Sequence, residues 1–211
     1  MSIIAIFNQK GGSGKTTLSL HLACWLARKK KKVCLVDADP QQSASTWINL
    51  MGNPLLVKGL TDANELIEQI PVLAETTNYV IVDAAAGNSE SGRAILFTAD
   101  VCVIPIQPTG LDLHSAGDAV RLVKQAHQVR GGLPKTGVFI SRATKGTRLK
   151  NEALTILGQI PAVTLLKTVI HQKQAIADAF SQELCVWDIR GGTESAKEFD
   201  QLFKEILRLA K

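Results

Sequence analysis

The segment Lys10-Gly11-Gly12-Ser13-Gly14-Lys15-Thr16-Thr17 gathers residue types suited to holding a polyphosphate. Its glycines let successive backbone N–H groups turn toward phosphate oxygens with no Cβ in the way. Lys15 is spaced to reach the β and γ phosphates, and the Thr16 hydroxyl to ligate Mg²⁺. The general pattern GxxxxGK[ST] puts a glycine at position 9, where Gln9 stands, and Lys10 adds a second lysine. Three carboxylates follow apolar β-branched runs: Asp37 and Asp39 in Val36-Asp37-Ala38-Asp39-Pro40-Gln41, and Asp83 in Val82-Asp83-Ala84-Ala85-Ala86-Gly87. Open α/β sheets bind ligands at the carboxyl ends of their strands, which is where these acids fall. Mg²⁺ keeps several waters and needs only one or two carboxylates, so Asp83 is expected to hold it through water. The i, i+2 spacing of Asp37 and Asp39 points both side chains to a similar side if the strand continues.

Strands and helices must position these groups. Near-continuous apolar runs predict strands at 2–7, 33–37, 79–83, 101–106, 136–141 and 162–166, each covered on both faces. The gaps between them carry helix-like patterns, so the connections are crossovers and the sheet is mainly parallel. The expected fold class is α/β: a single doubly wound, mainly parallel sheet with helices on both faces, in one domain over residues 1–211. The phosphate segment opens a helix (Leu18, Leu20, Leu22, Ala23, Leu26), whose N-terminus adds its positive dipole end. The last helix bears Phe199, Leu202, Phe203, Ile206 and Leu209 on one face, and Ser195-x-x-Glu198 predicts a capping box at its start.

Composition narrows the function classes. The 211 residues are 45% hydrophobic and 20% charged, which excludes a disordered chain, a disulfide-stapled miniprotein and a fibrous repeat. No apolar run approaches the roughly 20 residues that span a bilayer. The start, Met1 to Phe7, reads as a first strand rather than a leader. Cys24, Cys34, Cys102 and Cys185 form no CxxC pair and fit a cytoplasmic protein with buried thiols. His21, His114, His127 and His171 are scattered and receive no catalytic role. Residues 1–120 hold 9 Lys/Arg against 11 Asp/Glu, whereas residues 121–211 hold 15 against 8, within a net charge of +5. A basic half points to a polyanionic partner, nucleic acid or a membrane surface.

The motifs resemble those of the ParA/MinD ATPases, which carry a deviant Walker A loop. KGGSGKTT matches that loop, Asp37-Ala38-Asp39-Pro40-Gln41 the segment after the second strand, and Asp83 to Gly87 the Walker B and switch segment. Pro105-Ile106-Gln107-Pro108 with Asp112, and the stretch from Ile170 to Val186, extend the likeness over essentially the whole chain. It is nearest to the short ParF-like partition proteins. Many relatives have prolines after the Walker B aspartate, where Ala85 and Ala86 stand here. The resemblance implies a P-loop ATPase with ATP and Mg²⁺ as ligand and cofactor. It implies that Lys10 crosses a homodimer interface to the partner's phosphates. It further implies that Asp39 orients the attacking water, Asp37 supports the magnesium shell and the Gly87 amide approaches the γ phosphate. Arg142 and the segment after Ile170 would meet the base.

Function remains open among relatives of this type. A partition ATPase would form an ATP sandwich dimer on nonspecific DNA, be triggered by a cargo-bound ParB-like adaptor or activator, and be nucleoid-associated. The same switch could position a protein cargo, such as a microcompartment or a chemoreceptor cluster. A MinD-like membrane ATPase needs a free amphipathic tail, and no membrane partner is expected because the final apolar face is set up for the core. A metabolic enzyme on the same scaffold would need exposed cysteines or a second small-molecule pocket. Lys145, Arg148, Lys150, Lys167 and Lys173 are the candidate phosphate-backbone contacts, whereas Arg28 to Lys32 reads as a solvated helix end.

Overall fold

Apolar strands need cover on both faces, and this chain supplies it by alternating strand with helix. The structure, a computed structural model, describes residues 1–87 and 90–211. Strands β1 (Ser2–Ile6), β2 (Val33–Asp37), β3 (Leu56–Gly59), β4 (Tyr79–Asp83), β5 (Val101–Ile106), β6 (Lys135–Ile140) and β7 (Thr164–Leu165) form one sheet in the order β3-β2-β4-β1-β5-β6-β7. All its pairings among the described residues are parallel. The helices are α1 (Lys15–Arg28), α2 (Ser43–Leu50), α3 (Ala63–Thr76), α4 (Glu90–Thr98), α5 (Gly110–Arg130), α6 (Arg148–Leu157), α7 (Gln174–Asp178) and α8 (Thr193–Leu209).

Successive strand residues face opposite ways, and so two cores form. Ala5, Val82, Ile104 and Val138 face Leu66 of α3, Ile95 of α4, Val123 of α5 and Leu157 of α6. Ile4, Ile6, Leu35, Ile81 and Phe139 face Leu22 of α1, Trp47 of α2 and Phe199, Phe203 and Ile206 of α8. His21 is sealed into the second core, stacked on Phe199 at 4.8 Å. Its Nδ1 lies 2.7 Å from the Thr17 carbonyl and its Nε2 accepts the Val186 N–H at 3.2 Å. Burial pushes its pKa down to about 4, so the ring is a neutral tie between α1 and the segment before α8. The four thiols are buried, and burial raises Cys34 to about 11. Among the described residues no helix is long and apolar enough to cross a membrane.

The six predicted strands are present, three with the expected ends, two moved by one residue and the last cut to Thr164–Leu165. The seventh, β3, escaped the sequence pattern because it is an edge strand of four residues. Leu56, Lys58 and Gly59 are exposed and only Val57 is half-buried, so it carries no apolar run. The capping box is corrected too. α8 begins at Thr193 on Gly192, so Ser195 already lies inside the first turn, and its buried hydroxyl has no hydrogen-bond partner. The Glu198 carboxylate is drawn away from the start of α8 by the His171 N–H and ring and the Lys173 ammonium.

α3 does have a side-chain cap. Oδ1 of Asp62 accepts the N–H groups of Asn64 at 2.9 Å and Glu65 at 3.1 Å, satisfying two orphan donors. Asp62→Ala is expected to cost about 1 kcal/mol. For a chain of this size that lowers Tm by roughly 2–4 °C. Thermal melting followed by circular dichroism checks it, and an unchanged midpoint would show the cap to be idle.

Candidate functional site

β1 ends in the middle of the sheet and α1 begins at Lys15, so residues 7–14 turn between them. Gly12 and Gly14 adopt φ of +74° and +94°, a region open to glycine and strained for other residues. α1 has no side-chain cap and no acid in its first turn, so its positive end faces the turn. Neighbouring strands brace the turn. Asn8 Nδ2 donates to the Pro105 carbonyl at 2.7 Å and its Oδ1 accepts the Lys10 N–H at 3.0 Å. Gln107 Nε2 and Arg142 Nη1 both donate to the Gly12 carbonyl, at 2.8 and 3.0 Å. Ser13 is buried and its Oγ donates to the Lys10 carbonyl. Ile106 and Ile140 end β5 and β6 at the same edge, which is why Gln107 and Arg142 reach this carbonyl.

The two lysines are held differently. Lys15 is buried, and its Nζ donates to the Lys10 carbonyl at 3.1 Å. Burial lowers its pKa, and Asp83 and Asp39 oppose that shift through their charge. Lys10 extends to α5, where Nζ lies 2.7 Å from Oδ2 of Asp112. That carboxylate is only 3% exposed and also takes the Thr109 hydroxyl. Lys10 is therefore anchored within its own chain.

The carboxylates divide their work. Register sets Asp37 beside Asp83 on adjacent strands. Oδ1 of Asp83 accepts the Ser19 hydroxyl at 3.1 Å, while Oδ2 is buried with no hydrogen-bond partner. Burial pushes Asp83 up to about 7, and the Asp37 charge adds to this; the Thr16 and Ser19 hydroxyls and Lys15 pull the other way. An orphaned carboxylate oxygen close to a threonine hydroxyl is a hard oxygen set, which suits Mg²⁺. Asp37 is committed elsewhere. Its Oδ2 accepts the N–H and hydroxyl of Ser45 at 2.8 and 2.9 Å, and its Oδ1 accepts the Asp39 N–H at 3.3 Å. β2 stops at Asp37, so the expected common side for Asp37 and Asp39 does not arise. Asp37 holds the start of α2 and the turn that carries Asp39. Asp39 accepts the Gln41 N–H at 3.0 Å through Oδ1 and lines the cavity described next.

A cavity of about 420 Å³ runs from the glycine turn and Lys15 past Asp39 to Arg142 and the residues after Ile170. Thr16 and Thr17 lie on its wall. Arg142 sits at φ +54°, an uncommon conformation for a non-glycine residue. Gly87, at φ +96°, donates its N–H to the Gln9 carbonyl at 2.7 Å, so this amide is engaged by the turn itself. Trp47, Ser141, His171 and Phe180 also line the cavity, and sequence reasoning missed the first two. Only the last two lie inside the Ile170–Val186 stretch singled out earlier.

The basic candidates separate by partner. Lys145 is exposed and 3.4 Å from Glu194, and Arg148 pairs with Glu152 on the same helix. Lys150 and Lys167 share a shallow groove with Lys204 and Arg208. Lys173 is removed from the surface set: its side chain is 16% exposed, and Nζ lies 2.7 Å from Glu198 and 3.4 Å from Glu194. The lysine run after α1 is exposed, with Lys29 stacked over Trp25 at 4.5 Å.

Known proteins match this architecture. The chromosome-partitioning ATPase Soj of Thermus thermophilus is 31% identical over 97% of this chain and 94% of its own length. The maintenance of carboxysome distribution protein A of Halothiobacillus neapolitanus is 23% identical over 97% and 95%. The solved structure of apo McdA from Cyanothece superposes with a TM-score of 0.84, at 18% identity, over 98% of this chain and 99% of that one. The family model described as the CobQ/CobB/MinD/ParA nucleotide binding domain matches residues 4–186, and with the glycine turn, buried Lys15 and paired carboxylates at the strand ends, the chain belongs to that family.

Proposed function

We propose that residues 1–211 act as one ATPase domain whose ATP-bound form is a dimer that coats DNA without reading its sequence, so as to partition a plasmid or chromosome. One observation carries this reading: the glycine turn, buried Lys15 and Asp39 line a single cavity at the carboxyl edge of the sheet. Gly11, Gly12, Ser13 and Gly14 wrap the phosphates, and Lys15 meets the β and γ oxygens. Thr16 and, through water, Asp83 hold Mg²⁺, which neutralises charge on the β and γ phosphates. Asp39 orients the attacking water through the oxygen left free by Gln41. Orientation without a strong base makes intrinsic turnover slow. Lys10 leaves Asp112 and reaches the phosphates of the other subunit, where a second cation offsets charge that develops in phosphoryl transfer. Gly87 releases Gln9 to approach the γ phosphate. A ParB-like adaptor on the cargo would accelerate hydrolysis and reset the cycle, in the cytoplasm and on the nucleoid. Relatives named for carboxysome distribution favour a second reading, in which the same cycle positions a protein cargo.

DNA binding tests the proposal. Lys145, Arg148, Lys150 and Lys167 give one subunit few phosphate contacts, and an ATP dimer doubles them. Binding should therefore need ATP and fall steeply with salt, the log–log slope steepening by about 0.9 for each contact. Replacing Lys150 and Lys167 together by alanine should flatten that slope by about 2 per subunit and weaken every sequence equally. Fluorescence anisotropy on two unrelated duplexes over a salt series reads both. Affinity independent of nucleotide, or absent with ATP at low salt, would move the partner to a protein surface or membrane.

A further inference from the structure

We propose that Cys24 and Cys185 form a redox site, where hydrogen peroxide joins them in a reversible disulfide that ties α1 to the segment between α7 and α8. Contacts on both sides of the pair bring that segment against one face of α1. His21 Nε2 accepts the Val186 N–H at 3.2 Å, and Arg28 pairs with Asp188. Cys24 lies between His21 and Arg28 on the same helical face, and Cys185 adjoins Val186. The two thiols meet there. Their contact is the largest influence on each, drawing the pKa of Cys24 down and pushing that of Cys185 up. Cys185 thus donates its S–H, and Cys24 is the sulfur favoured as thiolate, the nucleophilic form. The Arg28 charge favours that anion further.

The other two thiols differ. Burial pushes Cys34 up to about 11 and raises Cys102 too, and no thiol acts on either. Cys24 lies one side chain below the surface: half-buried Asn53 reaches it, with Nδ2 3.9 Å from Sγ. Hydrogen peroxide is little larger than water. The Cys24 thiolate attacks one of its oxygens and breaks the O–O bond, giving a sulfenic acid on Cys24 and hydroxide, which takes up the thiol proton as water. The Cys185 sulfur then displaces the sulfenic oxygen. The S–S bond forms, the S–O bond breaks, and the Cys185 proton leaves with the oxygen as a second water. Each sulfur gives up one electron and the peroxide takes two. Because His21 and Arg28 pin both sides of the pair, the sulfurs close with little backbone movement. In a reducing compartment such a pair is a transient sensor. α7 buries none of its own residues, so the cavity wall of Ile176 and Ala177 hangs from this segment, and the bond fixes its root to the helix that opens at Lys15.

Peroxide treatment of the folded wild-type chain, followed by alkylation in denaturant and peptide mapping, tests this. Of the four thiols two should be lost, with the Cys24 and Cys185 peptides linked and both recovered by dithiothreitol. The oxidised chain should melt roughly 5–15 °C higher, because the bond closes most of the chain into one loop. Cys185→Ala should stop at the sulfenic acid, which dimedone tags on Cys24, and Cys24→Ala should keep all its remaining thiols. The wild-type map decides the matter even where a variant fails to fold. Four free thiols after a dose that fully oxidises glutathione, a different linked pair, or a lower melting midpoint on oxidation would overturn the inference.

Discussion

Lys15→Ala is expected to bind no nucleotide at concentrations that saturate the wild-type chain, an affinity loss of roughly 100-fold or more. Lys15 is buried at the start of α1 and its pKa is lowered by that burial, opposed by the charges of Asp83 and Asp39. A triphosphate would give the buried ammonium charged partners at close range, so binding gains from their pairing. Without Lys15, the phosphates meet Asp39 and Asp83 with no buried cation between them. The glycine turn and helix end persist, because Gly12 and Lys10 are held by Gln107, Arg142 and Asn8. The variant should therefore melt close to wild type while calorimetry registers no heat. Normal ATP affinity in this variant would mean that the phosphates bind elsewhere.

Asp39→Ala is expected to bind ATP, dimerise and stay dimeric, with turnover lowered by roughly 100-fold or more. The Asp39 carboxylate accepts one protein hydrogen bond among the described residues, from the exposed Gln41 N–H, so its loss leaves the glycine turn untouched. Lys10→Ala should do the opposite and stay monomeric with ATP. Light scattering on a sizing column, with phosphate release alongside, distinguishes the two. Wild-type turnover by the Asp39 variant would exclude water orientation by that carboxylate. A dimeric Lys10 variant would exclude the exchange of Asp112 for a phosphate.

The glycine turn was legible because its signal is local. Glycines, a lysine and a threonine at fixed spacing define a backbone shape and its charge within eight residues, and the apolar runs on either side fix strand and helix. What failed to show was the choice of distant partner. Glu198 stands at capping-box spacing from Ser195, yet it serves His171 and Lys173, more than twenty residues away in sequence. The tie from Asp37 to Ser45, eight residues on, had no sequence signal either. Lys173 counted as a free cation until α8 brought two glutamates to it. β3 lacked a signal for another reason: a four-residue edge strand that half-buries only Val57 needs no apolar run.

The three tryptophans occupy unlike surroundings, and this gives the molecule an optical handle. The indole N–H groups of Trp25 and Trp187 both donate to Oδ1 of Asp200, at 2.8 and 3.2 Å, behind α1 and away from the cavity. Trp47 lines the cavity, touches Phe180 edge-on at 5.5 Å and leaves its own buried N–H without a partner. Emission from Trp25 and Trp187 would form a steady background, while a base placed against the Trp47 and Phe180 wall would quench the third. Intrinsic fluorescence can thus time the arrival and departure of nucleotide in the unlabelled chain, on the millisecond scale of stopped flow.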